Sequence, residues 1–183
     1  ESLNRLSDPK VRETLLRCLP EAGPAMQAEI VRALGMRRET GAVAALVKMA
    51  DDGSDATRLT ALKSLAMLGD GKIAGDLTGR ILKAATAAER DAAEQALSAV
   101  CLRSEKPFTF VSLILDAMNG AAVPVRVALL RAAGRIGGPD ALKALREGIV
   151  DKEETVRDAA LRTMADYGET EAASDLLKLA AEK

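Results

Sequence analysis

Arg58-x-x-Ala61-Leu62-x-x-Leu65-x-x-Leu68-Gly69 is the stretch that decides how this chain folds. From Ala61 the apolar residues fall one, four and seven positions on, which is one face of an α-helix. The spacing returns as Arg126-x-x-Leu129-Leu130-x-x-Ala133-x-x-Ile136-Gly137 and as Arg157-x-x-Ala160-Leu161-x-x-Met164-x-x-Tyr167-Gly168. The glycines Gly35, Gly69, Gly137 and Gly168 are separated by 34, 68 and 31 residues. The arginines Arg58, Arg90, Arg126 and Arg157 step by 32, 36 and 31. A period of this length is that of a helix pair. Such a pair cannot bury its own apolar face and stacks on the pairs before and after it. At the skipped midpoint, Ala99-Val100-Cys101-Leu102 lacks the Gly, and that helix is expected to run one turn longer.

Composition agrees. The chain has 183 residues, 48% of them hydrophobic, and only three aromatics: Phe108, Phe110 and Tyr167. A core of Ala, Leu, Val and Ile lets helices approach closely, and the scarcity of aromatic and β-branched residues argues against a sheet. No apolar run reaches the ~20 residues of a membrane-spanning helix. The chain opens at Glu1, without Met or a signal-like segment, so a piece of a longer chain is expected.

Prolines and polar caps mark the boundaries. Pro9, Pro24, Pro107, Pro124 and Pro139 each precede an apolar-periodic run, the first-turn position where a missing N–H costs nothing. Thr40, Asp55, Thr170 and Asp8 are the expected N-caps. Eleven helices follow, near 9–19, 24–35, 41–50, 55–68, 71–85, 88–103, 107–119, 122–136, 139–150, 153–167 and 170–182. Paired from residue 24 they give repeats at roughly 24–53, 54–86, 87–120, 121–151 and 152–183, with 1–23 a partial repeat. The unpaired first helix, carrying Leu15, Leu16 and Leu19, is expected to expose part of its apolar stripe.

Formal charge is −1, from 26 bases and 27 acids, which offers no general attraction for nucleic acid or an anionic membrane. The distribution is uneven. Residues 147–183 carry ten acids and five bases, whereas 121–146 hold Arg126, Arg131, Arg135, Lys143 and Arg146 against Asp140 alone. Cys18 and Cys101 lie in apolar helical stretches and are expected to be two buried free thiols.

These residues resemble HEAT repeats, in the short form of the phycobilisome-lyase-like group. The signature is Asp-x-x-x-x-Val-Arg followed by Ala-Ala/Leu-x-x-Leu-Gly. It is clearest from Asp151 through Val156-Arg157 to Ala160-Leu161, and recurs from Asp52 to Thr57-Arg58 with Thr replacing the Val. Pro124-Val125-Arg126 keeps the Val-Arg pair with Gly120 in place of the Asp. The Glu89-Arg90 repeat lacks both Val and Asp, and Pro24 stands where the first pair would have its Arg. Ankyrin and tetratricopeptide arrays fit worse, since this chain has no His and no Trp.

The resemblance implies an all-α, right-handed α-α superhelix forming a single HEAT-like domain over 1–183, with about five helix pairs and one leftover N-terminal helix. It also implies a structural ladder of Asp52, Arg58, Arg90, Arg126, Asp151 and Arg157, in which each arginine fork reaches a carboxylate or free carbonyls at a helix end. The second helix of each pair would line the concave side, offering Lys48, Lys72, Asp76, Arg80, Lys83, Lys143, Arg146 and Glu147 to a protein partner.

No catalytic constellation is present. Without His there is no Ser-His or Cys-His pair. No Cys-x-x-Cys or phosphate loop occurs, and Asp51-Asp52-Gly53-Ser54-Asp55 reads as a capped turn, because Leu62 stands where a calcium loop needs its closing Glu. In Gly75-Asp76-Leu77-Thr78-Gly79 two glycines share a helix face, as in a close helix contact or a weak helix. Phe108 and Phe110 are expected to pack one in the core and one against the neighbouring repeat. The alternative leaves one exposed as a partner anchor.

The expected function is a non-enzymatic protein-interaction scaffold, monomeric and without cofactor or metal, within a larger bacterial chain. Its compartment is open between cytoplasm and periplasm or export. A DNA-handling module of the HEAT-like glycosylase type and a bilin-lyase-like protein are the disfavoured alternatives.

Overall fold

The computed structural model describes residues 9–167, 172–174 and 177. Among them the chain forms ten α-helices and no strand. They are α1 (Pro9–Cys18), α2 (Pro24–Met36), α3 (Val43–Asp52), α4 (Asp55–Leu68), α5 (Ala74–Lys83), α6 (Ala87–Leu102), α7 (Val111–Met118), α8 (Val123–Ile136), α9 (Pro139–Ile149) and α10 (Glu154–Ala165). Residues 172–174 and 177 of the expected eleventh helix are helical, and the rest of it lies outside the described residues. So do the expected caps Asp8 and Thr170.

The helices fall in two compact units, 1–103 and 104–183. In the first, α2, α4 and α6 pack side by side in chain order. There α3 lies against α4, α5 against α6, and α3 also touches α5. The second repeats the scheme: α8 packs on α10, α7 on α8, α9 on α10, and α7 touches α9. Each second helix therefore seats on the first helix of the following pair. Neither helix of a pair could bury its apolar side alone. Leu62, Leu65 and Leu97 in the first unit, and Leu129, Leu130 and Leu145 in the second, are almost fully removed from water. Each such leucine contributes roughly 1.5–3 kcal/mol relative to exposure.

First helices begin at residues 24, 55, 87, 123 and 154, steps of 31, 32, 36 and 31. In this register Gly35 is not the counterpart of Gly69 and Gly137. Those two terminate α4 and α8, whereas Gly35 lies inside α2. Its counterpart is Gly134 in α8, since each is the twelfth residue of its helix. Both are sockets. A Cβ on Gly35 would stand 2.5 Å from Ser64 Oγ, and one on Gly134 would overlap the Thr163 methyl. Ser64 and Thr163 are each the tenth residue of the next first helix, and the Ser64 hydroxyl donates to Val31 O at 3.1 Å. The glycines that look suspicious in the sequence, Gly75 and Gly79, have no neighbour within 4 Å of a built Cβ. They are a weak spot in α5 and not a helix contact.

Three second helices open on a 3-10 turn: Thr40–Ala42 before α3, Gly71–Ile73 before α5 and Pro107–Phe110 before α7. The side-chain caps differ from those expected. Ser54 accepts from Thr57 N, Asp70 from Lys72 N and Thr86 from Glu89 N. Ser54 has the extended backbone a cap requires (φ −61°, ψ 163°), whereas Asp55 is already the first residue of α4 and Thr40 is inside its 3-10 turn. The helix α6, without a closing Gly, is the longest among the described residues, at 16.

Two expectations about side chains are corrected. Cys18 is exposed, because α1 buries Leu15, and Leu19 just past its end, and turns its other side to water. Cys101 is buried, and burial pushes its thiol up to about 12. Neither Phe108 nor Phe110 is in the core: Phe110 is partly buried, and Phe108, 52% exposed, has its ring against Gly138. Gly137 and Gly138 both take positive φ (87° and 92°), a turn that only glycine follows without strain, and the Tyr167 hydroxyl donates to Gly138 O at 2.8 Å.

The socket geometry predicts opposite signs for one substitution at two sites. Gly134→Ala is expected to destabilise the chain by about 1–3 kcal/mol through overpacking. Gly79→Ala, in open space within α5, is expected to stabilise it by about 0.5–1 kcal/mol. Urea midpoints of the two variants against wild type measure both.

Candidate functional site

The polar side chains sort into those that hold the helices together and those that face outward. The fourth residue of each first helix except α6 belongs to the former. In α2 it is Gln27, in α4 Arg58, in α6 Arg90, in α8 Arg126 and in α10 Arg157. The first pair thus carries Gln27 in the arginine column, not Pro24. Gln27 Nε2 donates to Leu19 O at 3.3 Å, back to the chain leaving α1. Arg58 Nη1 donates to Gly53 O at 2.9 Å, and Arg157 Nη1 to the carbonyls of Asp151 and Lys152 at 2.8 and 2.9 Å. Each occupies carbonyls that the preceding helix or turn leaves without intrahelical partners.

Two of these arginines also reach forward. Arg126 pairs with Asp151, in the turn before α10. Arg58 Nε pairs with Glu89 Oε1 at 3.1 Å. Glu89, 2% exposed, also takes Arg80, and its other oxygen accepts from Ala85 N at 3.0 Å. Arg80 continues to Asp51 at 3.2 Å and Arg58 to Asp55 at 2.8 Å. The result is a five-member ion cluster around one buried carboxylate. Glu89, Arg80 and Arg58 are the buried members, so their charges interact strongly and an unpaired one among them is expensive, whereas Asp51 and Asp55 lie at the exposed edge.

Several sequence-predicted residues take different places here. Asp52 is exposed, and the carboxylate that meets an arginine is its neighbour Asp51. Arg90 is partly buried, and its Nε finds no acceptor among the described residues. Arg80, expected on a partner surface, has a side chain only 11% exposed and is committed to Glu89 and Asp51. Glu89 itself was legible only as a cap residue, three positions after Thr86, in the pattern of a capping box.

The remaining surface candidates lie outward on second helices. Lys48, Lys72, Asp76, Lys83, Lys143, Arg146 and Glu147 are all exposed. Lys72 and Asp76 line a recess of about 560 Å³ between α3 and α5. Its walls are Val43, Ala44, Val47, Leu68 and Ile73, and Thr40 and Asp70 complete the rim. Lys143 and Glu147 line a groove between α7 and α9 in the second unit, with Ser112, Leu115, Asp116, Asp140 and Ala144. Asp70, Asp116 and Asp140 were not singled out as surface groups in the sequence.

Among the described residues no three acidic or thiol groups converge in a way that would hold a metal ion. No helix among them is long and apolar enough to cross a membrane.

Stacked helix pairs tied by a polar column at each turn define an α-solenoid, a class that presents surfaces on repeated elements. The chain belongs to the HEAT-repeat family, whose profile matches residues 13–98 and 111–183. No curated protein matches the sequence. Among solved structures it is similar to the complex of CpcE and CpcF of phycocyanin lyase from Nostoc sp. PCC7120. The two share 20% identity, over 91% of this chain and 68% of that one, with a TM-score of 0.51. It is also similar to a designed armadillo repeat protein at 15% identity, covering 88% and 89% of the two chains, with a TM-score of 0.53. At such identities the likeness is one of fold alone.

Two predictions follow the ion pairs. Glu89→Gln leaves Arg58 and Arg80 facing one another without their shared carboxylate, and is expected to cost about 3–5 kcal/mol by urea denaturation. Asp151 gives a pH signature. The Glu153 N–H and the Arg126 guanidinium hold its carboxyl below the ordinary value of 3.8. Its folded pKa is depressed, so its contribution is complete above the unfolded value and is lost as pH falls through the folded one. Stability measured from neutral to strongly acid pH should therefore fall less steeply below pH 3.8 in Asp151→Asn than in wild type.

Proposed function

We propose that this chain is a non-enzymatic protein-interaction scaffold, a single array of repeats over 1–183 that meets its partner with its second helices. The recess between α3 and α5 carries this reading. It is open, about 560 Å³ in volume, walled by Val43, Ala44, Val47, Leu68 and Ile73, and edged by the charged groups Asp70, Lys72 and Asp76. An apolar floor with a polar rim is the arrangement of a protein-binding surface, where the floor gives affinity and the rim gives register. Arg58, Arg126 and Arg157 are spent on carbonyls and carboxylates within the fold, which argues against an arginine stripe for phosphate. Carboxylates at both recesses would repel a nucleic-acid backbone. No chromophore reading follows from the likeness to the phycocyanin lyase complex, which is a likeness of helices.

The test is to plug the recess without touching the core. Ala44 is exposed, so Ala44→Trp should leave the helical circular dichroism and the melting temperature unchanged. Proteins retained by the wild-type chain from an extract of its source cells should be lost from this variant, and reduced by Lys48→Glu combined with Lys83→Glu. Equal retention by all three chains would remove the α3/α5 face from consideration. Arg80 is unsuited to such a test, because reversing it would break the Glu89 cluster.

A further inference from the structure

We propose that the groove between α7 and α9 seats a lysine- or arginine-bearing segment of the protein partner. The proposal rests on the scaffold reading and adds the chemistry of what is bound. Two recesses, of about 250 and 340 Å³, share Leu115, Asp116, Ala144 and Glu147, so they form one continuous groove. It runs from Ser112 and Asp140 at one end to Asn119, Gly148 and Asp151 at the other. Leu115, Met118 and Ala144 supply its apolar surface.

The charges along it are unequal. Arg126 and Asp151 line it as a pair that neutralises itself. What remains is Asp116, Asp140 and Glu147 against Lys143 alone. All four are exposed, and no hydrogen bond or ion pair among the described residues engages their side chains. A groove with this lining favours one kind of side chain. The methylene stem of Lys or Arg lies along apolar surface while its cationic head remains among acceptors. The Arg fork suits a carboxylate in particular. The acids are strung along the groove and do not converge on a point, and no metal-holding trio occurs among the described residues. Such spacing matches cationic side chains distributed along a peptide better than one bound ion. Lys143 is the opposing charge, and its removal should favour the occupant.

The full 183-residue chain is the material for the test. The probes are fluorescein-labelled peptides of equal length built on Ala with Lys, Arg, Glu or Gln repeats, read by fluorescence anisotropy. The Lys and Arg peptides should bind in a salt-sensitive manner, and the Glu and Gln peptides should not. Asp116→Asn combined with Glu147→Gln should weaken Lys-peptide binding by about tenfold or more, with unchanged circular dichroism. Lys143→Glu should tighten it. Asp158→Asn combined with Asp166→Asn removes equal charge from α10 and its cap, and should leave binding within about twofold.

Unchanged binding by the groove variant would overturn the assignment. So would an equal loss in the α10 control, or equal binding of the Gln peptide. The α3/α5 recess provides the separation from the broader reading. If Ala44→Trp abolishes partner capture while the groove charges prove irrelevant to the Lys peptide, the scaffold stands and the basic segment falls. If the groove selects Lys peptide while Ala44→Trp captures everything the wild type does, the groove assignment stands and the α3/α5 face falls.

Discussion

The structure depends on one constraint: a helix pair of this composition has an apolar face with nothing inside the pair to cover it. Neighbouring pairs supply the cover, and first helices do so at short range. Gly35 against Ser64 and Gly134 against Thr163 bring backbone and side chain together where any larger residue would overlap. Leucines of the same helices, among them Leu34, Leu62, Leu65, Leu129 and Leu130, are buried. Dispersion and burial act only because the small residues permit the approach.

Polar interactions are placed where this stacking leaves the backbone exposed. A helix ends with carbonyls that have no internal partner, and the fourth residue of the next first helix answers them. Gln27, Arg58 and Arg157 all serve this purpose despite different side chains and neighbours. The buried Glu89 goes further and gathers two arginines and a backbone N–H, so the turn before α6 is fastened from three directions. On the outward face of the second helices the charges of Lys48, Asp76, Lys83, Lys143 and Glu147 are exposed.

Much of this was legible in the sequence, for reasons particular residues make clear. Helix positions were readable because the Leu and Ala spacing of α4, α8 and α10 follows from burial of one face, which local sequence encodes. The arginine column was readable because its residues recur. Register was harder. Gly35 occurs beside a Leu, as Gly69 and Gly137 occur beside a Leu and an Ile, and only packing separates a socket from a helix stop. Gln27 escaped notice because its amide does the work of an arginine, and Arg80 because a charged residue on a short helix reads as solvated until a buried carboxylate is found beside it. The α7/α9 groove is assembled from acids distant in the chain, so no local pattern announces it.

The glycine sockets also bear on how such an array grows by copying its own parts. A pair whose first helix carries the socket accepts only a successor with a short side chain at the matching place, as Ser64 and Thr163 are. Every first helix keeps a small residue at that tenth place, namely Ala33, Ser64, Ala96, Ala132 and Thr163, so a duplicated pair would offer either socket an acceptable successor. The rule is a form of grammar here: units are interchangeable so long as each keeps the short word that its predecessor requires.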